Sequence, residues 1–181
     1  MDLEELQSQI TYKYGRNVLL FQELERMLKY LVANGQISGS ASTVRAKFDK
    51  HRESVLKRTL GMVMGDHLDA QEPPPVPDDL EEAHFSFSFR IEYTGEKKEQ
   101  LEQLVEERNH LIHHFLSDIL ENSDGDLVTS WALAGDNLDT QYDRLKIATE
   151  DIRCVVQEFR EARQAALDYM QSKEFKNQLN R

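Results

Sequence analysis

A single cysteine in 181 residues excludes an intramolecular disulfide and any zinc site built on cysteine pairs. The composition therefore fits a reducing compartment, and Cys154, set among Ile152, Val155 and Val156, reads as a packing residue. Prolines number four, all between Gln71 and Asp79 and three of them consecutive. That stretch reads as a linker or surface loop of polyproline character, and no proline interrupts the chain on either side. No run approaches the roughly 20 apolar residues that cross a bilayer, and the start Asp2-Leu3-Glu4-Glu5 carries neither a basic leader nor an apolar segment. The expectation is a cytoplasmic protein with no membrane contact. Positive charge is also scarce: 22 Lys and Arg stand against 33 Asp and Glu, for a net charge of -11. This disfavours a general electrostatic grip on nucleic acid, which draws its affinity from cationic surface. Glycine patterns of the dinucleotide or phosphate-loop kind are missing as well.

One segment departs from the acidic trend. Arg45, Lys47, Lys50, Arg52, Lys57 and Arg58 are offset only by Asp49 and Glu53, which makes them either a candidate RNA-binding strip or a solvated helix face. With 39% apolar residues the chain supports one core, and residues 1–181 read as a single domain.

Apolar spacing at Leu3, Leu6, Ile10, Tyr14, Phe21, Leu24, Leu28 and Leu31 predicts a long first helix, bent at Gly15 and stopped at Asn34-Gly35. Ser38-Gly39-Ser40 reads as a polar loop, followed by a second helix from Ser42 or Thr43 to about Asp66. Phe85, Phe87, Phe89, Ile91 and Tyr93 alternate with Ser86, Ser88, Arg90 and Glu92, the pattern of a half-buried strand. Such a strand needs a partner, either near Asp126 to Ala132 or from a second copy of the chain. A third helix is predicted over Glu96 to Leu120, ended by Asn122 to Gly125, and a fourth opens at Asp136 or Asn137. Four helices of this length predict a mainly α protein, an antiparallel four-helix bundle with a short β-strand or hairpin insertion. Trp131 and the phenylalanine row read as packing residues, with base stacking as the alternative.

The segment Glu107-Arg108-Asn109-His110-Leu111-Ile112-His113-His114-Phe115 places three histidines and an arginine on one helix. Guanidinium holds phosphate oxygens in a planar fork, and imidazole moves protons near neutral pH, so the pair points to phosphate chemistry. Asn109 and His113 share a helix face, whereas Arg108 lies roughly 140° from His113 about the axis. A bend, or a second motif from another copy, would close that gap. His110 and His114 are spaced to hold a metal, but no third ligand or Glu-x-x-His frame accompanies them, so neither metal nor cofactor is expected.

Arg108-Asn109, a three-residue gap and His113 resemble the motif of HEPN domains, in which it lies on a helix of a small α-bundle. The resemblance implies a metal-independent endoribonuclease whose two motifs meet at a homodimer interface. Arg108 would bind the scissile phosphate, His113 would act as general base or acid at the ribose 2'-hydroxyl, and Asn109 would position them; His110 and His114 would be auxiliary. The implied partners are RNA, a second copy and, for toxin members, an antitoxin or other protein. Where some toxin members carry a modifiable tyrosine two positions after the histidine, this chain has Phe115, which offers no acceptor hydroxyl. Glu106 and Glu107 beside the motif favour protonated imidazole but repel RNA phosphates. More loosely, Phe21 to Glu25, the Phe85 to Tyr93 strand and the Arg108 motif resemble the helical region that accompanies OST-HTH (LOTUS) RNA-binding modules. The opposing expectation is a non-catalytic RNA- or protein-interaction and dimerisation module.

Overall fold

The computed structural model describes residues 2–40, 42–69, 84–121 and 126–173. The proline-rich stretch 71–79 and the helix stop expected at 122–125 lie outside them. The described residues form six helices and one two-stranded sheet, a mainly helical fold. No helix among them is long and apolar enough to cross a membrane.

α1 spans Leu3–Gly35, and Asp2 caps it by accepting the Glu5 backbone N–H at 2.8 Å. It continues through Gly15 as one helix. The stretch expected as one second helix is two: α2 (Val44–Leu56) and α3 (Leu60–Leu68). The Lys57 and Arg58 N–H groups close tight turns onto Ser54 and Val55, and Thr59 is extended, so the chain reverses there. The expected third helix is likewise divided, into α4 (Gly95–His113) and α5 (Phe115–Glu121). His114, at φ -122° and ψ -15°, makes the break.

Residues expected to flank or pair with the strand are helical. Asp126 caps α6 (Leu127–Gln171), which begins about nine residues before the predicted start. Gly135, a weak helix former, sits inside α6 with Ile10 at 3.4 Å from where its Cβ would be, so close packing on α1 offsets its low propensity. The strand's partner is neither 126–132 nor a second copy. β1 (Gln36–Ser40) pairs antiparallel with β2 (His84–Ser88), Ile37 opposite Phe87 and Ser38 opposite Ser86. Ser38-Gly39-Ser40, expected as loop, is thus strand. Its small side chains carry no alternation to read, and Gly39 is buried with the Val44 Cα 3.1 Å from its Cβ position.

The core is built chiefly between α1 and α6. Ile10 meets Gly135, Lys13 meets Asp139, Glu23 meets Arg153 and Tyr30 meets Phe159, so residue numbers rise together and the two helices run parallel. This corrects the strictly antiparallel order expected. The reversal at Arg58-Thr59 adds one change of direction, and the last long helix consequently returns parallel to the first. α4 runs antiparallel to α6, with Lys97 against Asp151 and Glu107 against Arg144. Buried Asn17 fixes the register of α1 on α6 by donating to the Leu138 carbonyl at 2.8 Å and to Gln141 Oε1 at 3.0 Å. Phe159, fully buried, takes edge contacts from Tyr30, Phe87 and Phe89, which seats the two-stranded sheet on α6. Trp131, half-buried on α6, packs against the same core.

Candidate functional site

The motif occupies the last turns of α4, whose buried stripe is Leu101, Leu104 and Leu111. Arg108 follows that stripe and is half-buried; its Nη1 donates to Asn109 Oδ1 at 3.1 Å. Asn109 and His113 are exposed, and His113 has no hydrogen-bond or ionic partner among the described residues. The structure therefore brings Arg108 and Asn109 together and points His113 elsewhere. His110 turns to α5, its Nε2 2.8 Å from Asp118 Oδ2, beside a cleft of about 240 Å3 bounded by α4, α5 and α6. His114 ends α4, its ring centroid 5.8 Å from His110 and 6.4 Å from His113. Three histidines thus lie near one another, yet no group of three metal-ligating side chains able to hold an ion occurs among the described residues. Glu107 faces α6, where Arg144 matches its charge at 2.8 Å. Phe115 packs at 5.1 Å from the Tyr14 ring, a core role for the residue that replaces the tyrosine.

Arg108 opens onto a groove of about 770 Å3 between α1, α2, α4 and α6. Arg26, Arg52 and Arg163 share that groove with it, and Tyr30 and Phe48 supply aromatic walls. The lining carboxylate, Glu25, is matched by Lys29 at 2.7 Å, and Lys29 also donates to the Leu56 carbonyl. Four guanidinium groups are left there with no carboxylate partner among the described residues. Several cations elsewhere are matched, Lys13 and Arg16 with Asp139, Lys98 with Asp69 and Arg153 with Glu23. Arg45, Lys47, Lys50, Lys146, Arg160 and Lys173 stand singly with no carboxylate partner among the described residues, so it is the convergence of four on one groove that sets the arginines apart.

The basic run 45–58 divides by helix geometry. Arg45, Phe48, Arg52 and Leu56 form one stripe of α2, and the last three line the groove. Lys47, Lys50 and Lys57 fall roughly 140° to 160° away on the opposite side, Lys57 in an i, i+4 pair with Glu53. Arg58 is bound to Asp66 of α3.

A separate cavity of about 330 Å3 is lined by His51, His67, Arg58, Asp66 and Asp69, a cluster the sequence reading did not single out. Burial pushes the His67 imidazole down to about 4, and Tyr93, at 2.7 Å from its Nε2, is raised to about 12 by burial and then by Asp151. A neutral imidazole and a protonated phenol share this bond, either able to donate according to the ring tautomer. Unfolded histidine binds a proton from about pH 6.5 downward while His67 resists until about 4, so the unfolded state gains protons first as pH falls. Stability is then present above pH 6.5 and lost on descent, by about 3 kcal/mol between about pH 7 and pH 4. Urea unfolding at both pH values checks this: His67→Gln should shrink the difference by about that amount, and an unchanged difference would remove His67 as its source.

Tyr142 lies under the Arg16 guanidinium at 3.7 Å, so neither it nor Tyr93 joins the motif. No family model, no curated protein and no solved structure matches this chain.

Proposed function

We propose that the chain is a metal-independent endoribonuclease of HEPN-like bundle architecture whose active site forms between two copies. The observation that carries this reading is His113: exposed, without a hydrogen-bond or ionic partner among the described residues, and set along the chain among exposed apolar residues, with Ile112, Leu116 and Leu120 39%, 61% and 63% exposed. A histidine kept for packing would be covered or bonded. One set beside exposed apolar side chains is placed for use when a second copy covers them. In that assembly His113 takes the proton of a ribose 2'-hydroxyl, the oxygen attacks phosphorus, and the 5'-oxygen leaves with a proton from His113 of the second copy. Arg108, held by Asn109, binds the non-bridging oxygens as charge builds. The products are a 2',3'-cyclic phosphate and a 5'-hydroxyl.

Leu116→Asp with Leu120→Asp tests the assembly, because the paired carboxylates repel across a two-fold contact. Sedimentation should show wild type as a dimer and the variant as a monomer, with cleavage falling at least about tenfold. A monomeric variant that cuts at the wild-type rate would refute the two-copy site. The divergence of Arg108 and His113 within one chain favours a second reading, a non-catalytic RNA- or protein-interaction module. A folded, dimeric wild type that never cuts RNA would favour it.

A further inference from the structure

We infer that the groove between α1, α2, α4 and α6 is a binding track for a single RNA strand, held by Arg26, Arg52, Arg108 and Arg163 through its phosphates and by Tyr30 and Phe48 through its bases.

Charge supplies the first argument. In a chain of net charge -11, four arginines converge on one groove and lack carboxylate partners among the described residues, while the lining carboxylate Glu25 is already matched by Lys29. Guanidinium groups so placed repel one another, and apart from the Arg108 bond to Asn109 the described residues give them no side-chain hydrogen bond or ion pair, so the arrangement favours an anionic occupant. Planar forks match phosphate oxygens two bonds at a time.

Shape and composition then choose among anions. The lining combines guanidinium groups with two aromatic rings, Phe48 and Tyr30, the latter also lying under Arg160 at 5.3 Å, and stacking on an aromatic face suits a base but not a bare phosphate or a carboxylate side chain. The Arg45 position continues the Phe48-Arg52-Leu56 stripe by one further helical turn, so the cationic line extends past the groove. A line of charge longer than the cavity fits a polymer better than a mononucleotide. Exposed, separated bases of a single strand meet such a surface, whereas a duplex hides them. Arg108 is common to the groove and to the Arg-His motif, so a strand lying here would reach the end of α4 at the residue proposed to hold the scissile phosphate. The choice of RNA over DNA rests on the ribonuclease reading; the track itself does not.

The test uses the His113→Ala chain in EDTA, so that cleavage plays no part, and fluorescence anisotropy of a labelled, unstructured RNA of about twelve nucleotides. Arg26→Glu, Arg52→Glu and Arg163→Glu together should weaken binding at least about tenfold and lower the slope of log affinity against log salt by about 2, near 0.7 per lost phosphate contact. Lys98→Glu, Lys146→Glu and Lys173→Glu make the same change in net charge away from the groove and should stay within about twofold. If the triple groove variant does not fold, Arg52→Glu alone, on the exposed side of α2, should still cost about threefold. Equal losses in the two triple variants, an unchanged salt slope, or no binding by the parent chain would each overturn the track. So would groove-dependent capture of a polyglutamate peptide with no affinity for RNA, which would assign the groove to an acidic protein. Groove-dependent RNA binding by a wild-type chain that never cuts would keep the track and remove the ribonuclease. Cleavage that ignores the groove charges would do the reverse.

Discussion

His113→Ala should lower RNA cleavage by about 10² to 10⁴-fold and leave the fold as it is. The first half follows from chemistry: without the imidazole, water must remove the 2'-hydroxyl proton and supply one to the leaving oxygen. The second follows from position. His113 is exposed and has no hydrogen-bond or ionic partner among the described residues, so truncating it opens no cavity and strands no polar group there. Its unfolding free energy should stay within about 0.5 kcal/mol of wild type. A histidine serving only the contact between copies would behave otherwise, with dissociation preceding any loss of activity. Sedimentation beside the rate measurement separates the two, and a variant that loses its dimer in step with its rate would count against direct chemistry.

Phe159→Ala carries the largest expected effect on stability. The ring is fully buried on α6 and meets Tyr30 at 5.7 Å, Phe87 at 6.3 Å and Phe89 at 5.0 Å between centroids. Removing it takes away apolar burial and three aromatic edges at once, in a core that α1 on one side and the β2 strand on the other enclose. The cost should be about 3 to 5 kcal/mol by urea unfolding. Because the two-stranded sheet rests on this ring, amide exchange at Phe87 and at Phe89, whose N–H donates to the Gly35 carbonyl, should accelerate more than exchange in the middle of α1. A loss under about 1 kcal/mol would mean that the sheet is not seated through Phe159.

The helices were legible because buried residues recur at helical spacing: Leu24, Leu28 and Leu31 on α1, and Leu145, Ile152 and Phe159 on α6, are all in the core. The breaks were not. Neither Lys57 to Thr59 nor His114 contains glycine or proline, so periodicity ran across both, although the first reverses the chain and turns α6 parallel to α1. The Phe85 to Tyr93 alternation announced a strand, while its partner Gln36–Ser40, made largely of small polar residues, carries no comparable signal. The site divides in the same way. Arg108, Asn109 and His113 were readable as a local motif, since one helix carries them all. The groove was not, because Arg26, Arg52, Arg108 and Arg163 come from four helices and only Arg52 lies in a visibly basic run. That run drew attention to Lys47 and Lys50, which the helix turns to the far side of α2.

The most direct measurement is the chemistry of the cut ends. Wild type and His113→Ala, both folded, are incubated with labelled single-stranded and structured RNA in excess EDTA. Cleavage by wild type alone, leaving 2',3'-cyclic phosphate and 5'-hydroxyl ends, is the predicted result. Ends bearing a 3'-hydroxyl and 5'-phosphate, equal cutting by both chains, or no cutting by a dimeric wild type would contradict a metal-independent ribonuclease built on His113.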